Sequence, residues 1–367
     1  MTMPRRLAGV GALAAFALAI VGCSGAATQA PLTPIKFQLQ WVTQAQFAGY
    51  YAAIDQGYYR DAGLDVTLVI GGPQVDNVQV VASGGADIGT AWLPNMLRAR
   101  ENGADLVSIS QVFQRSGTRM VSFKAANITS PASMAGKKIG SWLGGNEPEL
   151  FAALTKAGLD PTKENIIKQN FDMSGLLNGD LDVAQAMIYN EYAQVLEAKN
   201  PATGQLYTPA DVNLVNFNDP AVGTAMLQDQ IFTTTKWLTT GNNKDIATKF
   251  LTASYRGWIY CRVNPDKCVA IVLAKGSQLG ASHQAWQMNQ INGLIWPSPS
   301  GIGQLDMNAY NQTVQIATTY GILKAAPSAD AVRTDLSAAA LAALPSGTDT
   351  MGASFQLQTI TLKEGGN

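Results

Sequence analysis

The sequence predicts an α/β protein of two lobes with a ligand cleft between them, each lobe a mostly parallel sheet flanked by helices. Strand-like alternation and helical spacing take turns along the chain with short turns between, the grammar of a parallel sheet covered by helices. The same unit occurs twice, marked by Gly84-x-x-Asp87 and Gly179-x-x-Asp182, each ending a helix and leading into a strand. The stretch from Ile246 to Thr319 is mostly helical and carries too little strand for a third sheet. It is expected to pack back onto the first lobe, which makes the second lobe an insertion.

In chain order, Ile35-Lys-Phe-Gln-Leu-Gln40 alternates apolar and polar with the period of a strand. Phe47 to Tyr59 has helical spacing, and Gly63 to Ile70 is again a strand. Asp76 to Ala82 reads as a helix closed by Ser83-Gly84-Gly85, glycine being the usual residue past a helix end. Ala86 to Trp92 supplies a third strand. Downstream, Lys137 to Trp142 is a strand and Glu147 to Ala157 a helix closed by Gly158. Asn165 to Asn170 is a strand, Met173 to Leu177 a short helix, and Asn178 to Met187 runs into a strand. The expected domains are residues 35–118 with 224–345 for the first lobe and 119–223 for the second. Residues 346–367 are expected to form a C-terminal tail.

The N-terminus carries an address. Pro4-Arg5-Arg6 precedes an apolar run from Leu7 to Val21 and then Gly22-Cys23, the layout of a secretory signal. About 15 apolar residues span roughly 22 Å as a helix, short of the ~30 Å hydrocarbon core, so a transmembrane anchor is the weaker alternative. Ile20-Val-Gly-Cys23 resembles a bacterial lipobox, which implies acylation of Cys23 after removal of residues 1–22. Residues 23–34 are small and polar and read as a flexible tether. The expected location is therefore the extracytoplasmic face of the cell membrane, with lipid as the only membrane contact.

Composition narrows the function. Lys and Arg number 25 against 26 Asp and Glu, and no basic stripe offers a nucleic-acid footprint. One histidine, His283, and three cysteines leave little for a His/Cys metal site, and none is expected. Cys261 and Cys268 flank Asn264-Pro265, which stops one helix and opens another, so a structural disulfide across that corner is expected. Two buried free thiols are the alternative.

In open parallel sheets, ligands bind beyond the carboxyl ends of the strands. Those ends carry Trp41, Gln44 and Phe47, then Trp92, then Asn146 with Gly144-Gly145, then Tyr189 and Glu191. Gln114, where the chain first crosses between lobes, joins this set, with a bond to the hinge backbone as its alternative role. Lys and Arg are absent from all four strand ends, so an anion site is not expected there. Aromatic faces with amide and carboxylate edges suit a flat, nearly neutral heterocycle. His283, in a helical Gln/Trp stretch, is read as structural.

Phe37 to Tyr59, with its run Trp-Val-Thr-Gln-Ala-Gln-Phe, resembles the opening of substrate-binding proteins related to yeast thiamine-pyrimidine synthase. The likeness continues through Asp61-Ala-Gly-Leu-Asp-Val66, Ala82 to Gly89 and Gln185 to Glu191. It implies a type II-like periplasmic-binding-protein fold whose cleft holds cargo for an ABC permease and its ATPase. Asn146-Glu147, Ala184 to Leu196 and Ile295 to Gly303 look most like riboflavin-binding lipoproteins of bacterial riboflavin importers. A sister group binds formylaminopyrimidine, a thiamine precursor, and the pocket residues do not separate the two. By resemblance the ligand contacts are Trp41, Gln44, Phe47, Trp92, Asn146, Tyr189 and Glu191. Riboflavin would be cargo, and no cofactor is expected. The enzyme branch uses a His and a Cys-rich motif that this chain lacks, so a monomeric binding protein is expected rather than a catalyst.

Overall fold

The computed structural model describes Met1 and residues 31–367; the signal segment, Cys23 and tether residues 23–30 lie outside the described residues. The first lobe opens with β1 (Thr33–Gln38), α1 (Ala48–Asp55), α2 (Tyr58–Asp61) and β2 (Leu64–Val69). It continues through α3 (Asn77–Ala82), β3 (Ile88–Trp92), α4 (Leu93–Glu101) and β4 (Val107–Gln111). α3 starts at Asp76, whose side chain accepts from the Gln79 amide at 3.0 Å, and gives way to Gly84 at φ +79°.

The second lobe holds β5 (Thr118–Phe123), β6 (Ile139–Ser141), α5 (Pro148–Lys156), β7 (Ile166–Lys168), α6 (Ser174–Leu177), β8 (Val183–Met187), α7 (Glu191–Leu196) and β9 (Val212–Asn216). The chain then returns through β10 (Asp229–Thr233) and ends in six helices. These are α8 (Thr235–Leu238), α9 (Asn243–Val263), α10 (Pro265–Ala274), α11 (Ala281–Ile295), α12 (Met307–Thr319) and α13 (Thr334–Ala342).

The two five-stranded sheets have the same plan, β2-β1-β3-β10-β4 and β7-β6-β8-β5-β9. In each, one strand runs against the other four: β10 pairs antiparallel with β3 and β4, and β5 with β8 and β9. Each reversed strand is the first one laid down after the chain crosses between lobes. The repeated Gly-x-x-Asp has a physical role in this plan. Asp87 Oδ2 accepts from the Lys36 amide at 2.8 Å, and Asp182 Oδ2 accepts from the Lys138 amide at 2.8 Å. The equivalent carboxylate thus ties β3 to β1 in the first lobe and β8 to β6 in the second. Gly84 and Gly179 (φ +79° and +78°) supply the left-handed residue that turns the helix end toward that strand.

In the first lobe α9 lies against α1 so closely that side chains are excluded. A Cβ on Gly257 would strike the Gly49 carbonyl, and one on Gly49 would strike the fully buried Trp258 ring. That contact seals a core of Phe37, Phe250, Tyr255 and Trp258, and each such burial is worth about 1.5–3 kcal/mol. Met120, Ile139, Leu150, Val183 and Phe217 form a second-lobe core. The crossings themselves are polar and buried. Gln228 Nε2 lies 2.6 Å from Thr118 Oγ1 and 3.1 Å from Glu149 Oε2, and Glu149 Oε1 accepts from the Met226 amide at 2.6 Å.

Cys261 and Cys268 form a disulfide, Cα–Cα 5.5 Å, that joins α9 to α10 across the Asn264-Pro265 corner. Residues 346–367 pack along α11 rather than trailing away. Asn289 exchanges two hydrogen bonds with Gln358 (2.8 and 2.9 Å), and the Gly365 amide reaches the Glu197 carbonyl of the second lobe at 3.2 Å. Among the described residues no helix is long and apolar enough to cross a membrane.

Candidate ligand-binding site

A cavity of about 720 Å³ opens between the lobes at the carboxyl ends of the strands. Six of the residues expected from the sequence line it together: Trp41, Gln44 and Trp92 from the first lobe, Asn146, Tyr189 and Glu191 from the second. Two do not. Phe47 ends a short 3-10 turn that directs its ring inward, where it is fully buried in the first-lobe core. Gln114 is spent on the crossing: its Nε2 donates to the carbonyls of Gln111 (2.8 Å) and Gln304 (3.1 Å).

No Lys or Arg stands in the four strand-end stretches, but two cations reach the cavity from elsewhere. Arg98, on the outer part of α4, and Lys168, the last residue of β7, both line it. Both stand beyond the strand-end stretches on which the expectation rested, because the wall extends along α4 and to the edge strand β7.

The first-lobe wall is a chain of amides ending on a buried carboxylate. Gln44 Nε2 donates to Gln46 Oε1 at 2.7 Å, and Gln46 Nε2 donates to Asp229 Oδ2 at 2.8 Å. Gln40 Nε2 donates to Asp229 Oδ1 at 2.7 Å. Gln44 Oε1 is left buried without a hydrogen-bond partner. Burial raises the Asp229 carboxyl to about 6, against the lowering effect of the hydrogen bonds from Gln46 and Gln40. Sequence reading overlooked Asp229; its only signal is a lone acid opening an otherwise buried strand.

On the facing wall Glu191 begins α7. Its Oε2 accepts from the Met187 amide at 2.9 Å and its Oε1 from Asn190 Nδ2 at 2.7 Å. Burial is the largest effect and lifts this carboxyl to about 7, with the Met187 amide pulling the other way. Burial likewise pushes the Tyr189 hydroxyl well above its usual range. His283 sits behind this wall and outside the cavity, with Nδ1 2.9 Å from Glu197 Oε1 and Nε2 2.9 Å from Asn190 Oδ1. It joins α11 to the second lobe. Among the described residues no cluster of His, Cys, Asp and Glu could hold a metal ion.

Aromatic rings complete the lining. Trp142 donates through Nε1 to the Asn170 carbonyl at 3.1 Å, and its ring stacks on Phe171 at 6.4 Å and 11°. Phe171 in turn meets Trp41 of the other lobe at 4.8 Å. Phe171 sits in a loop whose sequence reads as an ordinary strand-to-helix connection, so nothing marked it in advance. Flat faces beside the Glu191 carboxyl suit a planar ligand that presents hydrogen-bond donors at its edge.

Residues 44–268 match the family described as NMT1/THI5 like. The chain belongs to the NMT1/THI5-like family. Within it, the formylaminopyrimidine-binding protein of Halalkalibacterium halodurans is 22% identical over 263 residues, covering 71% of this chain and 76% of that one. The riboflavin-binding protein RibY of Chloroflexus aurantiacus is 25% identical over 309 residues, covering 81% of this chain and 84% of that one. The aliphatic sulphonate binding protein SsuA of Escherichia coli superimposes with a TM-score of 0.60 at 15% identity, over 81% of this chain and 90% of that one. This NMT1/THI5-like chain therefore has the periplasmic-binding-protein fold, as its paired sheets indicate.

Proposed function

We propose that this protein is the substrate-binding component of an ABC importer and that it captures a flat, nitrogen-rich heterocycle, riboflavin in the first place. The observation that carries this reading is the cleft itself: Trp92 and Tyr189 offer ring faces, Trp41 meets the opposite lobe at its edge, and the Glu191 carboxyl offers acceptor oxygens. An imide N–H of the ring edge would meet those acceptors, and lobe closure would desolvate the ring. RibY, the relative matched over the greater length, is named for riboflavin. A cavity of about 720 Å³ is used more fully by a tricyclic ring with a polyol chain than by one pyrimidine ring.

Formylaminopyrimidine is the second reading, supported by the H. halodurans relative and by Glu191, whose carboxylate could take the ring amino group. A binding role is favoured over catalysis by the relatives named as binding proteins. The protein would act as a monomer, held by acyl chains on Cys23 at the extracytoplasmic face of the membrane, and would pass cargo to a permease driven by its ATPase. Riboflavin titrated into protein lacking residues 1–23 tests the reading through quenching of flavin fluorescence. Saturable one-to-one quenching is expected. Absence of quenching at micromolar protein removes riboflavin and leaves the pyrimidine to be tested by calorimetry.

A further inference from the structure

Phe171 is a large apolar side chain left 42% exposed at the mouth of the cleft. Its position is not loose. The Asn170 carbonyl before it is held by Trp142 Nε1, and Asp172 after it accepts from the Ser174 amide at 2.9 Å. The backbone is thus clamped on both sides, and the ring is held against Trp142 at 6.4 Å. Across the cleft it meets Trp41, which belongs to the other lobe, at 4.8 Å between centroids. No third ring can enter a gap of that size, so this pair cannot sandwich a ligand. A planar ligand must lie elsewhere in the cavity, beside Trp92, Tyr189 and Glu191, with this pair closing one side of the opening. Nearby the lobes also meet where Gly145 abuts Asn95 and Arg98, so close that a Cβ would come within 3.2–3.3 Å of them.

We propose that Phe171 is a gating residue: it seats on Trp41 when the lobes close, shuts the mouth of the cleft, and governs how fast cargo escapes. The contact bridges the two lobes across the cleft, so it acts on dissociation and leaves association almost unchanged. Its kinetic consequence rests on the ligand reading above; its existence does not.

Two measurements test it. Riboflavin release from the protein lacking residues 1–23, followed by flavin fluorescence after dilution, should quicken about threefold to tenfold in Phe171→Ala, as expected for one lost aromatic contact. Association should change by less than about twofold, and Phe171→Tyr should restore slow release. Equal release rates in wild type and Phe171→Ala overturn the gate. The second measurement is independent of cargo: amide hydrogen exchange without ligand. Phe171→Ala should speed exchange in residues 40–44 of the opposite lobe, and Trp41→Ala should speed it in residues 169–174. No cross-lobe change in either variant overturns the proposal, even if wild type binds no riboflavin and the ligand reading fails by itself.

Discussion

The amide of Met187, at the end of β8, donates to Glu191 Oε2 at 2.9 Å and so fixes the first side chain of α7 from behind. Asn190 Nδ2 holds the other oxygen at 2.7 Å. A carboxylate gripped by two donors keeps one orientation and still has lone pairs turned toward the cleft. Glu191 is therefore a preformed acceptor, set by a turn of four residues.

Replacing that acceptor should cost affinity. Losing a buried hydrogen bond to a charged group costs about 1.5–3 kcal/mol, so Glu191→Ala should weaken riboflavin binding roughly tenfold or more. Trp41→Ala should do the same through the lost cross-lobe contact with Phe171. Calorimetric titration measures both, and unchanged affinity in both variants would place the ligand elsewhere.

Glu191 also predicts a pH effect. In the folded protein its carboxyl is raised to about 7 from 4.5, chiefly by burial. Around neutral pH part of the folded population therefore holds a proton that the unfolded chain has released. Its contribution to stability is complete below about pH 4.5 and is lost as pH rises through about 7. Asp229, raised to about 6 from 3.8, acts in the same direction. Melting temperatures from pH 4 to 8 should fall less steeply for Glu191→Gln than for wild type; a steeper fall would contradict the assignment.

The Cys261–Cys268 bond closes a short loop, seven positions apart, in which neither sulfur lines the cavity. Substituting both by serine should lower unfolding stability by about 2 kcal/mol in the chain-entropy account and leave ligand affinity unchanged. Urea denaturation of wild type and variant, alongside a flavin titration, measures the two effects separately.

The contact of α1 with α9 tolerates no added atom. Gly257→Ala should force the helices apart and destabilise the protein by about 1–3 kcal/mol, since neighbouring backbone cannot give way as a side chain could. Thermal unfolding would show this. A variant as stable as wild type would mean the two helices can separate freely.

Much of this architecture was legible because its signals are local. Gly84-x-x-Asp87 and Gly179-x-x-Asp182 were readable as a repeat, and the Lys36 and Lys138 amides explain why the spacing recurs. Trp41, Trp92, Tyr189 and Glu191 followed from one rule about strand ends. Phe47 misled because it follows Gln44 and Gln46 closely, while the intervening turn rotates it into the core. Arg98, Lys168 and Phe171 were missed for another reason: their place in the cleft depends on how two lobes face each other. Asp229 comes to stand behind Gln40 and Gln46 only because β10 inserts beside β3, a pairing across more than a hundred residues.

That insertion also dictates an order of assembly. Every strand of the second sheet lies within residues 118–216, so that sheet can be complete before β10 has been made. β3 and β4 must meanwhile stay apart, each with an open edge, until residues 229–233 arrive to bridge them. The half of the protein that begins the chain is therefore the half that finishes last. A chain cut short after β9 would carry one finished lobe and one with two sticky strand edges, which makes premature truncation an aggregation hazard rather than a mere loss of binding.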